Sequence, residues 1–253
     1  MSAFYLDTRT IVILLIGVCI IQIIAMNLII LKRKTYPGFG WWTAGITTFG
    51  FSFILFPMRN IIPDIFSIVL ANVLFVLAAF FFLKGTRLFR SKEIKILFIA
   101  LTVVAYTIFQ SYFTFVDNEP NIRIIVISFL LGTIFGITAL ELFLKVPRDL
   151  RFFYWITGSL FTVFSIFMFV RGVFTFLNPP SGSLLAPGIA HSLIFIMAMF
   201  LGIGWAIMFI VLNAERLENE LESTQRQFQK MATTDFLTGI ANSRLFRESG
   251  EHE

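Results

Sequence analysis

Seven long apolar stretches dominate this chain, and short connectors with charged residues or prolines such as Pro57 and Pro120 separate them. A helix needs about 20 mostly apolar residues to cross the hydrocarbon core of a bilayer. The composition suits lipid contact, with 57% hydrophobic residues, 14% charged residues and 33 phenylalanines. The sequence therefore predicts an all-α membrane protein built as a bundle of seven transmembrane helices. The predicted spans cover residues 11–31, 39–56, 65–83, 94–113, 124–144, 152–170 and 189–212.

The connectors differ in charge in a way that predicts the orientation of the bundle. Alternate connectors collect eleven basic residues on one side and four on the other. Lys and Arg are enriched in cytoplasmic loops, so we expect the N-terminus outside and the C-terminus in the cytoplasm. The basic set is Lys32, Arg33, Lys34, Lys84, Arg87, Arg90, Lys92, Lys95, Lys145, Arg148 and Arg151; the other is Arg9, Arg59, Arg123 and Arg171.

A heptad pattern follows the seventh span, with apolar or small residues separated by alternating gaps of four and three. These residues are Ile210, Ala214, Leu217, Leu221, Thr224, Phe228 and Met231. The pattern is typical of a coiled coil, so residues 213–231 are predicted to form a cytoplasmic signalling helix. Leu217, Leu221 and Phe228 would then face their copies across a parallel homodimer. One solvated amphipathic helix without a partner is the alternative.

The last segment carries the most specific motif. Seven positions agree with the pattern D-x-L-T-G-L-x-N-R-R-x-F, whereas Ile240 and Ser243 depart from it. The matching residues are Asp235, Leu237, Thr238, Gly239, Asn242, Arg244 and Phe246. This stretch resembles the opening signature of the diguanylate cyclase (GGDEF) domains of bacteria.

The resemblance implies a membrane sensory and dimerisation module that regulates a diguanylate cyclase, which makes cyclic di-GMP from GTP. Its domains would be a sensor over residues 1–212, a stalk over 213–231 and the start of a GGDEF domain over 232–253. The protein would lie in the bacterial inner membrane. Mg²⁺ and GTP are expected for the cyclase domain, whose binding residues would follow Glu253. The 1–253 chain itself is expected to lack catalytic residues and cofactors and to be inactive. The alternative is a transporter or channel with a regulatory cytoplasmic tail.

Polar residues at the outer ends of the spans are candidates for ligand binding, because charge near the membrane interior is costly. Guanidiniums from different spans could hold a small amphipathic or anionic ligand through paired hydrogen bonds. Alternatively, the arginines pair with Asp64, Asp117 and Glu119 or contact lipid phosphates. The candidates are Arg59, Asp64, Asn72, Arg123, Arg171 and His191.

Other polar residues have simpler expected roles. Asn72 is expected to form an interhelical hydrogen bond, and Glu141 is expected to pair with Lys145 one helical turn later. His191 is either structural or sensitive to pH. We expect no metal site and no nucleic-acid partner, so the predicted partners are the lipid bilayer, a second copy of the chain and the outer ligand.

Overall fold

The computed structural model describes residues 8–178 and 189–233, and within these ranges the chain forms helices and no strands. A short 3₁₀ turn, Phe56–Met58, and a π-helical turn, Ile65–Leu70, lie on either side of the connector between the second and third long helices. The seven long helices are α1 Thr8–Lys32, α2 Phe39–Leu55, α3 Ala71–Phe89, α4 Ile96–Phe115, α5 Pro120–Phe143, α6 Arg151–Leu177 and α7 Ile189–Thr233.

All seven predicted spans correspond to helices that are long and apolar enough to cross a membrane, as a multi-pass membrane protein requires. Their ends differ from the prediction in physically understandable ways. The third span continues to Phe89, since the buried Lys84 places its ammonium 3.8 Å from the centroid of the Trp41 ring and Arg87 pairs with Glu141. Pro120 begins α5 instead of lying in a connector, because the first turn of a helix does not need its N–H.

The core of the bundle is aromatic and centres on Trp205 of α7, which is fully buried. Its indole lies within 6 Å of phenyl rings from four other helices. Stacked and edge-on aromatic pairs contribute about 0.5–1.5 kcal/mol each beyond their buried area. Trp205 therefore connects α7 to the helices around it. The surrounding rings are Phe49 of α2, Phe82 of α3, Phe135 of α5, and Phe161 and Phe164 of α6.

Helix α4 lies at the periphery of the bundle, with apolar side chains on its exposed face and polar side chains on its buried face. Only 17% of its most apolar 18-residue stretch is buried inside the bundle, against 50% for the corresponding stretches that contain α3 and α5. Leu97, Leu101 and Ile108 are exposed, as suits a face that contacts lipid. Its buried residues include Tyr106 and Gln110, so the helix turns polar groups toward the bundle.

The connection between α2 and α3 is fixed from within the bundle. Ser52 of α2 is buried, and its hydroxyl donates a 2.7 Å hydrogen bond to the carbonyl oxygen of Ala71, where α3 begins. The π-helical turn immediately precedes Ala71. Such turns occur often at functional sites. This arrangement positions the connector that carries Arg59.

The chain divides into two compact units, one ending at Leu212 and the other beginning at Asn213. The first contains the spans and the second contains the polar part of α7. Helix α7 is continuous over 45 residues and belongs to both.

Candidate functional site

One cavity lies where α3, α4, α5 and α6 meet the connector after α2, and we name it the arginine cavity. It has a volume of about 310 Å³, which includes its open mouth. Its narrow interior has room for little more than one water molecule. The lining residues are Phe56, Arg59, Ile68, Asn72, Gln110, Pro120, Arg123, Ile124, Ile127 and Arg171.

Arg123 is held in a defined position by two side-chain acceptors. It lies in the first turn of α5 and is 8% exposed. Its Nη1 donates to Thr114 Oγ1 at 2.8 Å, and its Nη2 donates to Asn118 Oδ1 at 3.1 Å. The Thr114 hydroxyl in turn donates to the Gln110 carbonyl oxygen at 2.6 Å. A guanidinium has five N–H donors, so Arg123 keeps donors for a further acceptor.

Gln110 contributes an amide to the cavity from the buried face of α4. Its side chain is only 1% exposed. The Tyr106 hydroxyl donates to Gln110 Oε1 at 3.2 Å, which fixes the amide. Gln110 Nε2 is buried and has no hydrogen-bond partner. A buried donor without an acceptor costs about 1–3 kcal/mol, so this atom is prepared for an acceptor that enters the cavity.

Arg59 lies in the connector after α2 and packs on an aromatic ring. Its guanidinium carbon is 4.1 Å from the centroid of Phe56, and its Nε is buried without a partner. Burial, together with the charges of Arg123 and Arg171, lowers the pKa of Arg59 to about 10, although Asp64 acts in the opposite direction. At neutral pH Arg59 is therefore protonated, in an environment that disfavours its charge.

The structure brings four of the six predicted ligand-binding residues to this cavity: Arg59, Asn72, Arg123 and Arg171. Asp64 is exposed and does not line it. The backbone of His191 lies in α7, but its side chain is outside the described residues. Ligand binding by this cluster stays a prediction.

The expected pairing of the arginines with carboxylates is not formed. Among the described residues, no salt bridge joins Arg59, Arg123 or Arg171 to an acid, although Asp64, Asp117 and Glu119 belong to the described part. Asp64 acts on Arg59 and Arg123 without contact, and none of the three arginines has a salt-bridge partner there. In a partly buried setting this is an unfavourable arrangement that an anion would relieve.

The prediction that Asn72 forms an interhelical hydrogen bond is wrong. Its Nδ2 donates to the carbonyl oxygen of Ile68 within the same helical segment, at 2.8 Å. Ile68 belongs to the π-helical turn, whose wider winding changes the usual pairing of backbone carbonyls. Asn72 thus supports the backbone beside the cavity.

Three polar residues of the site were missed from the sequence: Tyr106, Gln110 and Thr114. The sequence contained a signal for them, because the three residues are spaced four positions apart on α4 and therefore share one face of the helix. A polar stripe on an otherwise apolar span indicates a face that packs inward. Their contribution to the site depends on the approach of α5, which the spacing alone does not reveal.

A second polar cluster lies at the other end of α5, and here the charges are compensated. Glu141 Oε1 accepts from Arg87 Nε at 3.1 Å, and Glu141 Oε2 lies 3.2 Å from Arg90 Nη1 and 2.6 Å from Lys92 Nζ. Arg90 Nη2 also donates to the carbonyl oxygens of Leu144 and Lys145.

The expected pairing of Glu141 with Lys145 is therefore wrong. Helix α5 ends at Phe143, and Lys145 has a φ of 50°, so the regular one-turn spacing is lost. The carboxylate instead joins the ends of α3 and α5. This cluster is a structural clamp, since its ionic groups satisfy one another.

Replacing Glu141 by Gln should destabilise the bundle by about 1–3 kcal/mol, because three cations lose their shared partner. Thermal unfolding in detergent measures the effect. Glu93→Gln is the matched control: it lies in the adjacent connector, is exposed and makes no ion pair among the described residues. Its effect should stay within about 0.5 kcal/mol, and equal shifts for both variants would argue against the clamp.

Compared with known proteins, the chain matches no family model, no curated protein and no solved structure.

Proposed function

We propose that the bundle is the sensory and dimerisation module of a diguanylate cyclase in the bacterial inner membrane. The observation that carries the proposal is the GGDEF-like signature beginning at Asp235, two residues after the end of α7 at Thr233. A helix that leaves a membrane span and leads into an output domain is a direct physical connection between the two. GTP and Mg²⁺ would be bound by the cyclase domain.

The polar part of α7 supports pairing with a second copy. Leu221, Phe228 and Met231 are 59%, 63% and 66% exposed in the single chain, on a helix rich in charged residues. Leu217 is half-buried. Large apolar residues repeated at heptad spacing and open to water favour burial against another helix. A short seam of this kind is weak, which suits a switch between two dimer arrangements.

The charge distribution supports an orientation in which the arginine cavity is extracytoplasmic. Arg123 and Glu141 lie 18 residues apart on α5, which corresponds to about 27 Å along a helix. The basic connectors lie at the Glu141 end. With that end in the cytoplasm, the output domain meets GTP, and the arginine cavity meets signals from outside.

A physical path for coupling runs through the aromatic core. Helices α5 and α6 carry Arg123 and Arg171, and they also carry Phe135, Phe161 and Phe164, which pack around Trp205 of α7. A ligand that draws these helices together would change the packing around α7. It would shift the equilibrium only if it bound one arrangement more tightly than the other.

The stalk can be tested with single cysteines in a Cys19→Ser background. Leu221→Cys should crosslink between chains far more efficiently than Glu222→Cys, because only position 221 lies on the seam. The two side chains are similarly exposed in the single chain, at 59% and 55%, so accessibility alone predicts equal yields. Equal yields would indicate an unpaired helix.

The proposal predicts a longer protein in which a cyclase domain follows the 1–253 chain, and its output can be tested. In the presence of Mg²⁺ and GTP it should form cyclic di-GMP, whereas the 1–253 chain should not. Leu217→Asp combined with Leu221→Asp should abolish formation, because each buried Leu contributes roughly 1.5–3 kcal/mol.

The control for this assay is Glu218→Gln with Glu222→Gln, which alters charge beside the seam and leaves the apolar positions intact. It should retain activity. Failure of the longer protein to form cyclic di-GMP, or full activity of the double Asp variant, would contradict the proposed function.

A further inference from the structure

The lining of the arginine cavity carries positive charge that the described part of the protein does not neutralise. Arg59, Arg123 and Arg171 come from three different structural elements and converge on one small space. The charge of Asp64 acts on both Arg59 and Arg123, but Asp64 forms no salt bridge with either. The cavity is therefore electrostatically suited to an anion at neutral pH.

The buried polar atoms without partners in this lining are both donors. They are Arg59 Nε and Gln110 Nε2. Arg123 adds the N–H groups that Thr114 and Asn118 do not use. A ligand that satisfies such a set must offer acceptors and little else. Carboxylates and phosphates fit this description, and their hydrogen bonds to guanidinium are short and strong.

The donors are held in place before any ligand enters. The chain of hydrogen bonds from Tyr106 through Gln110 and Thr114 fixes Arg123, and the ring of Phe56 supports Arg59. Preorganised donors lose little conformational entropy on binding. The fixed positions of these donors distinguish the cavity from a surface on which flexible arginines make transient contacts with lipid phosphates.

The size of the cavity limits what part of a ligand it can take. The interior accommodates little more than one water molecule, but the cavity opens at its mouth. The apolar part of the lining, from Phe56, Ile68, Ile124 and Ile127, can contact a hydrocarbon portion. An oxygen atom of the charged group would thus enter, and the remainder of the molecule would stay at the mouth.

We propose that the arginine cavity binds the oxyanion group of a carboxylate or phosphate compound, with Arg59, Arg123, Arg171 and Gln110 as its donors. The oxyanion belongs either to a small soluble molecule or to the head group of an anionic lipid. The inference rests on the proposed function in that this site would be the sensory input, but binding is measurable without any cyclase activity.

The test uses the 1–253 chain in nanodiscs of phosphatidylcholine, with orthophosphate and butyrate as probes at constant ionic strength. Either probe should raise the thermal unfolding midpoint in a saturable manner if the source is soluble. A second set of nanodiscs containing phosphatidylglycerol should raise the midpoint without added probe if the source is lipid. Either pattern supports the site, and it identifies the source.

Variants show whether the effect arises in the cavity. Arg171→Gln should lower the affinity for the stabilising anion by about 30-fold or more, as expected when a desolvated charge contact is removed. Arg151→Gln is the matched control, because it removes the same charge from the other end of α6, and it should bind like the unsubstituted chain.

Two further variants keep the test meaningful if loss of an arginine impairs folding. Gln110→Leu removes a donor without changing charge, and Arg59→Lys keeps the charge but loses the planar N–H fork. Both should weaken binding several-fold.

Equal behaviour of Arg151→Gln and Arg171→Gln, or no stabilisation by any of the three anions, would overturn the inference. Anion binding without any change in cyclic di-GMP formation by the longer protein would instead count against the proposed function alone.

Discussion

The absence of water in the bilayer core is the constraint on which this structure depends. Each backbone N–H and C=O must find a partner within the protein, and helices meet that demand locally. Buried hydroxyls follow the same rule: Ser128, Thr138 and Thr157 each donate to a carbonyl oxygen one turn earlier. Against this background, the buried donors of Arg59 and Gln110 without acceptors are exceptions. Among the described residues, Gln22 Nε2, Asn121 Oδ1 and Trp205 Nε1 are also buried without partners, but only Arg59 and Gln110 line the arginine cavity, where both atoms are donors.

Aromatic packing provides the second level of organisation, because apolar surface alone does not drive helices together in lipid. The rings around Trp205 come from α2, α3, α5 and α6, and Trp42 stacks on Phe209 with centroids 4.4 Å apart. A close-packed interior of this kind rearranges between discrete states more readily than it deforms continuously. The proposed coupling from α5 and α6 to α7 requires such a core.

The charged side chains at the two ends of α5 differ in how well they are compensated, which indicates structural support at one end and a binding site at the other. Glu141 gathers three cations around its two carboxylate oxygens, so it stabilises the junction of α3 and α5. Arg123 has neutral acceptors on two sides and, among the described residues, no carboxylate in salt-bridge contact. One helix thus carries a satisfied ionic clamp at one end and an unsatisfied cationic cavity at the other.

The sequence predicted the seven spans because length and hydropathy alone determine them, and it placed Arg59, Arg123 and Arg171 near the same end. It could not show that these arginines share a cavity with Gln110, since that depends on how α4 rotates against α5. The pairing of Glu141 was missed for the same reason: Arg87 and Lys92 lie about 50 residues away along the chain, at 54 and 49 positions. Local spacing suggested Lys145, but α5 ends before that contact can form.

The proposed function requires the arginine cavity and the GGDEF-like segment to lie on opposite sides of the membrane. Asp117 and Glu93 are exposed acidic residues in the connectors at the two ends of the bundle, so each can be replaced by cysteine in a Cys19→Ser background. An impermeant thiol reagent applied to intact cells should label Asp117→Cys and leave Glu93→Cys unlabelled until the membrane is opened. Labelling of Glu93→Cys alone from outside would place the arginine cavity in the cytoplasm and contradict the account.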